Sequence, residues 1–112
     1  MTTDEAEPET LRVTVSENGE PVLVRVAGEL DLSTVPVFVA EIDGVLEDAP
    51  ASVELDLSDL SFIDSSGVGA YVAAFRRARA RGTRLSVGSR SAFVGRVLQI
   101  SGVEEALAAE SA

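Results

Sequence analysis

Residues 53–81 read VELDLSDLSFIDSSGVGAYVAAFRRARAR, and this stretch decides the fold. Val53, Leu55 and Leu57 alternate with Glu54 and Asp56, the period of a strand with one packed face and one wet face. Further on, Val68, Tyr71, Val72, Phe75 and Ala78 recur at the three-four spacing of a helix laid against a sheet. Arg76, Arg77, Arg79 and Arg81 collect in its last turns, where the negative end of the helix dipole favours cations. Between strand and helix stands Asp64-Ser65-Ser66-Gly67, a carboxylate and two hydroxyls at a helix N-terminus. Unpaired backbone N–H groups and the positive end of the dipole favour a capping oxygen or a phosphate at such a place. Asp and Ser are also ordinary N-cap residues, so these four letters alone require no more than a cap.

Working outward, Leu11, Val13 and Val15 form one alternating run and Val22, Val24 and Val26 another, with Asn18-Gly19 between them as a tight-turn signal. The first two strands are therefore expected to pair antiparallel. Gly28 to Asp31 closes the second strand, and Ser33 or Thr34 is placed to cap a helix with Pro36 in its first turn. Val35, Phe38, Val39, Ile42, Val45 and Leu46 form the apolar stripe of that helix, and Glu41, Asp43, Glu47 and Asp48 its outer face. Beyond the central helix, Gly82 is a stop, Arg84 to Val87 a short strand, and Gly88 to Arg90 a turn. Ser91 caps a third helix driven by Phe93, Val94, Val97, Leu98 and Ile100, which ends at Gly102 before a last helical segment packed by Val103 and Leu107. A hairpin followed by strand, helix, strand and helix implies an α/β fold with one mixed sheet, antiparallel at its start and parallel afterwards. Because the central strand alternates, one face of that sheet is expected to be less covered by helices.

The chain has 112 residues, enough for one core, with 46% apolar residues to fill it. Residues 1–9 are acidic and poor in large apolar side chains, so they read as a disordered tail ahead of a single domain over 10–112. Cys and His are both absent, which removes disulfides, thiolate chemistry, the usual general base and the commonest metal ligand. A net charge of −10 argues against nucleic acid, whose backbone needs a cationic footprint. No apolar run approaches a membrane span, and Met1 leads into polar residues without a signal-peptide pattern, so a cytoplasmic protein without membrane insertion is the expectation.

The longer run from Asp56 to Gly69, Asp-Leu-Ser-x-Leu-x-Phe-Ile-Asp-Ser-Ser-Gly-Val-Gly, resembles the core of the STAS domain, the fold of bacterial anti-sigma factor antagonists. Gly28-Glu29-Leu30-Asp31 resembles the family's upstream turn, and Ser91-x-x-Val94-x-Arg96-Val97-Leu98-x-x-Ser101-Gly102-Val103 its C-terminal helix signature. The resemblance covers roughly residues 10 to 108, with Val68 standing where Leu is common. It implies a partner that is both an anti-sigma factor and a serine kinase, binding its own ATP. It also implies that Ser65, directly after the Asp, is the phosphorylated residue, and that the unphosphorylated antagonist binds that partner and frees a sigma factor. Asp64 would position the serine or the kinase, and Asp31, Ser66 and Gly67 would share the partner-binding surface.

An enzyme reading would make Ser65 or Ser66 a nucleophile, but with neither His nor Lys there is no group to accept its proton near neutral pH. Gly67-Val68-Gly69 has no Lys to reach a phosphate and is no phosphate-binding loop. No catalysis and no cofactor are therefore expected. The alternative is a binding module of the same fold whose serine is never phosphorylated, such as a subunit of a lipid-transport or other membrane-associated complex.

Overall fold

The computed structural model describes residues 10–16 and 19–111. The acidic segment 1–9 and Asn18 of the expected hairpin turn lie outside them. In chain order the elements are β1 (Leu11–Val15), β2 (Val22–Leu30), α1 (Val35–Leu46), β3 (Ser52–Leu57), β4 (Leu60–Ile63), α2 (Ser65–Ala80), β5 (Arg84–Arg90), α3 (Ala92–Ser101) and α4 (Val103–Ser111).

The strands form one mixed sheet in the order β1-β2-β3-β5, with β4 pairing beside the second half of β2. β1 runs antiparallel to β2, and the other pairings are parallel. Two neighbouring rows across the sheet show why the alternation matters. Val15, Val24, Leu55 and Val87 stand in register across four strands, and Val24 and Leu55 are fully buried. One residue further on, Thr14, Arg25, Asp56 and Ser89 form a polar row, where Arg25 Nε lies 3.3 Å from Asp56 Oδ2. The apolar row belongs to the core shared with the helices, and the polar row faces solvent, as the alternation predicts.

α1 turns Phe38, Ile42 and Leu46 inward, the centre of its expected stripe. In α2 the buried line is Gly67, Ala70, Tyr71, Ala74 and Ala78, while Val68, Val72 and Phe75 flank it. The small residues let the helix approach its neighbours closely. Gly67 marks the tightest contact: a Cβ there would lie 2.5 Å from the Leu30 carbonyl oxygen and 2.7 Å from Ile63 Cγ1. α2 and α3 end at Gly82 and Gly102, and Ser91 caps α3 by accepting the Val94 N–H, all as the sequence predicts.

Three expectations need correction. β4 is a separate strand that the sequence reading did not resolve. It is separated from β3 by the turn at Ser58 and Asp59, where Asp56 Oδ1 accepts both the Ser58 N–H at 3.0 Å and its hydroxyl at 2.6 Å. Gly88 to Arg90 is not a turn: β5 continues through a bulge that skips Gly88 and resumes pairing at Ser89 with Asp56. Finally, Phe93 and Ile100 do not drive α3 into the core. At about 100° per residue they fall roughly 100° to 120° around the helix from Val94, and they are 46% and 78% exposed.

Candidate functional site

The site is built where β2 and β4 end. Leu30 and Ile63 pair in register, and each is followed by an aspartate on the way into a helix, Asp31 in the turn before α1 and Asp64 directly before α2. On the β2 side, Asp31 Oδ1 accepts the Ser33 N–H at 3.0 Å, the Ser33 hydroxyl at 2.8 Å and the Thr34 N–H at 3.2 Å. Its carbonyl oxygen accepts the Val35 N–H at 2.9 Å, in the turn that leads into α1. Thr34 holds the N-cap position without capping by its side chain. Instead, its buried hydroxyl accepts the Asp31 N–H at 2.9 Å and donates to the Glu29 carbonyl at 2.8 Å. The turn is thereby fixed from both sides. The Ser33 hydroxyl, with the Thr34 and Ser33 N–H groups, holds the Asp31 carboxyl below its usual range, so it is a firm anion at neutral pH.

On the β4 side, Asp64 caps α2: Oδ1 accepts the Gly67 N–H at 2.9 Å, and its carbonyl oxygen accepts the Val68 N–H at 2.9 Å. The Asp64 N–H donates to the Leu30 carbonyl at 3.3 Å, tying the two strand ends together. Ser65 follows as the first residue of α2 and is exposed, with no hydrogen bond to its hydroxyl among the described residues. Ser66 is half-buried and Gly67 buried. Of the predicted residues, Asp31, Asp64 and Ser65 thus come together at one edge of the molecule, while Gly67 contributes its N–H and its lack of a side chain.

Sequence reasoning missed the apolar surround. A shallow groove of about 360 Å³ between α2 and α3 runs beside Ser65, walled by Val68, Val97 and Ile100. Nearby on β4 and α3, Phe62 and Phe93 stack with ring centroids 5.7 Å apart, and both are exposed. Leu32, beside Asp31, is 75% exposed. Exposed apolar side chains mark a contact surface where they gather into one large patch. The missed signal is the excess apolar width of α3, which carries more large side chains than one packed stripe needs. Among the described residues no group of three or more carboxylates could hold a metal ion, and no helix is long and apolar enough to cross a membrane.

A family model described as Mlab, STAS domain matches residues 13–109. The chain belongs to the STAS domain family. This STAS domain is 28% identical over 95 residues to the anti-sigma-B factor antagonist of Bacillus subtilis (strain 168), covering 85% of this chain and 86% of that protein. Among solved structures it is similar to an anti-sigma factor antagonist from Mycobacterium paratuberculosis, with a TM-score of 0.79, 25% identity, and 88% and 84% of the two chains covered. It is also similar to the anti-sigma factor antagonist SpoIIAA in its unphosphorylated form, with a TM-score of 0.69, 30% identity and 82% of each chain covered. A structure of SpoIIAA of Bacillus in the phosphorylated form matches with a TM-score of 0.64 at 28% identity, covering 84% of this chain and 86% of that one. The relatives support a role as an anti-sigma factor antagonist, and with it an anti-sigma factor as the partner.

Proposed function

We propose that this STAS domain binds an anti-sigma factor that is also a serine kinase, and that phosphorylation of Ser65 releases it. The observation that carries the reading is Ser65 itself, an exposed hydroxyl without a hydrogen bond among the described residues, at the N-terminus of a capped helix and beside an apolar groove. The kinase supplies ATP, Mg²⁺ and the base. Ser65 Oγ attacks the γ-phosphorus, its proton passes to the base, the bond to the β-phosphate oxygen breaks and ADP leaves. That SpoIIAA has been solved with and without phosphate supports a modification of this kind in a similar protein.

The switch is local and electrostatic. Phosphoserine carries about −1.5 to −2 charge at pH 7, and the N–H groups and dipole of α2 accommodate it within the free domain. Against a partner carboxylate about 4 Å away, repulsion reaches roughly 4 kcal/mol per unit charge pair at an effective dielectric near 20. Asp31, Asp64 and Ser66 frame the contact in this reading, with the Val68, Val97 and Ile100 groove as its apolar seat and Gly67 acting through its backbone.

The test is phosphorylation by the cognate anti-sigma factor with ATP and Mg²⁺, followed by peptide mapping. One phosphate on Ser65, lost in Ser65→Ala and largely kept in Ser66→Ala, is the expected result; a phosphate on Ser66 or Thr34 overturns the assignment. Thermal unfolding of the phosphorylated protein should shift little while partner affinity falls at least tenfold, or about 1.4 kcal/mol.

The match to a STAS family model fits equally a second reading: a binding subunit of a lipid-transport or other membrane-associated complex, with Ser65 unmodified. Affinity capture from the native cell with intact-mass measurement separates the two. A kinase-fold partner and an adduct of about 80 Da belong to the switch, transporter subunits without an adduct to the alternative.

A further inference from the structure

About 15 Å along α2 from Ser65, at 1.5 Å per residue, a second concavity opens between α2, β5 and α4. Its volume is about 380 Å³, at the small end of ligand pockets. It exists because β5 is the last strand of the sheet and α4 packs back onto α2 and α3, so the flank of β5 is left uncovered. Phe75, Leu85 and Val87, all half-buried, give the concavity apolar walls over the buried Tyr71, whose ring lies 5.0 Å from that of Phe75.

Its rim is cationic. Arg79, Arg84 and Arg90 line it with one carboxylate, Glu104, and Arg79 is paired with Glu110 outside the lining. That carboxylate is already engaged, since Glu104 Oε2 accepts the Tyr71 hydroxyl at 2.9 Å and Arg90 Nη1 at 2.5 Å. Burial, reinforced by Glu104, pushes the Tyr71 phenol above its ordinary value and keeps it a donor. Arg84 has no ion pair among the described residues. In a chain of net charge −10 a concavity with more cations than acids stands against the general field, which repels simple anions. A wholly polar anion leaves the apolar walls uncovered, and a neutral apolar molecule desolvates Arg84 without pairing it. Only a molecule with both features satisfies the cavity.

We propose that this cavity binds a small amphipathic anion, a carboxylate, sulfonate or phosphate on an apolar or aromatic body, with Arg84 recognising the charge and Phe75, Leu85 and Val87 seating the body. The site is independent of Ser65 and of its modification.

The test uses the full chain with anilinonaphthalene sulfonate as a fluorescent probe, decanoate as competitor and phenylnaphthylamine as the uncharged analogue. Saturable one-to-one binding is expected, displaced by decanoate and at least tenfold tighter than that of the uncharged analogue. Arg84→Glu should weaken binding at least tenfold at unchanged thermal stability, and Arg84→Lys should restore most of it. Amide shifts should centre on Leu85, Val87 and Leu107. Absence of saturation at millimolar probe overturns the proposal. So does equal affinity in Arg84→Glu, and so do shifts centred on Val97 and Ile100, which would move the ligand to the groove beside Ser65.

Discussion

Asp31 and Asp64 each stand one residue beyond a directly paired couple, Leu30 of β2 and Ile63 of β4, so a turn-fixing carboxylate ahead of α1 and the capping carboxylate of α2 leave the sheet side by side. Because the two strands are parallel, the N-termini of α1 and α2 lie at the same edge, and their dipoles present positive ends together. This is the position outside the carboxyl ends of parallel strands where α/β folds place their sites. A phosphate on Ser65 would meet the α2 N-terminus, which favours it, and the adjacent Asp64, which opposes it, and in the proposed switch such a balance lets modification change binding while sparing the fold.

Asp64 serves both as a cap and, in the proposed switch, as a positioning residue, and the two roles separate by substitution. Asp64→Ala should cost about 1 kcal/mol of stability, or roughly 4 to 8 °C in Tm for a domain near this size. Asp64→Asn keeps the cap and should cost a few tenths of that figure at most. Kinase assays on Asp64→Asn should show slowed phosphorylation of Ser65; an unchanged rate would leave Asp64 only its capping role.

Two glycines in α2, two residues apart, should respond in opposite directions. Gly67→Ala places a methyl against the Leu30 carbonyl and Ile63 and should destabilise by about 1 to 3 kcal/mol. Gly69 has nothing within 4 Å of an added Cβ and lies mid-helix, so Gly69→Ala should stabilise by about 0.5 to 1 kcal/mol. Urea unfolding of both variants checks the pair, and a loss of stability in Gly69→Ala would contradict the open space around it.

On α3, Leu98 and Ile100 divide the work of packing and contact. Leu98 is fully buried and Ile100 is 78% exposed. Leu98→Ala should cost about 2 to 5 kcal/mol, whereas Ile100→Ser should stay within about 0.5 kcal/mol. If the groove beside Ser65 seats the anti-sigma factor, Ile100→Ser weakens that binding at least tenfold in a titration that leaves the unfolding curve in place.

Acid should weaken the tie between α2 and α4. Glu110 accepts from Arg76 and Arg79, and these hydrogen bonds lower its pKa from 4.5 to about 2. A carboxyl with a depressed folded-state value contributes stability that is fully present above its unfolded value and lost as pH falls through the folded one. The stability difference between the native chain and Glu110→Gln should therefore be constant above about pH 5 and close between about pH 4.5 and 2. It should also shrink in high salt, because the pair is at the surface. A difference that persists unchanged at pH 2 would mean that Glu110 acts by packing.

The alternation of Val53 to Leu57, the stripe of α1 and the stops at Gly82 and Gly102 were legible in the sequence because each rests on near neighbours along the chain: a strand period, a helix period, a backbone angle. The order Asp64-Ser65-Ser66-Gly67 likewise announced a capped helix start, since Asp64 needs only Gly67, three residues on, to act as a cap. What tertiary structure alone decided are relations across the sheet. The bulged pairing of β2 with β4 brings Asp31 to Asp64, although thirty-odd residues separate them, and no local pattern encodes that register. The same holds for Gly67 of α2, whose reason is the Leu30 carbonyl on β2, and for Phe93 and Ile100, whose exposure follows from which side of α3 the sheet happens to fill. Apolar residues record that a surface is to be buried; what buries it, the core or a second molecule, depends on contacts that only the folded chain defines.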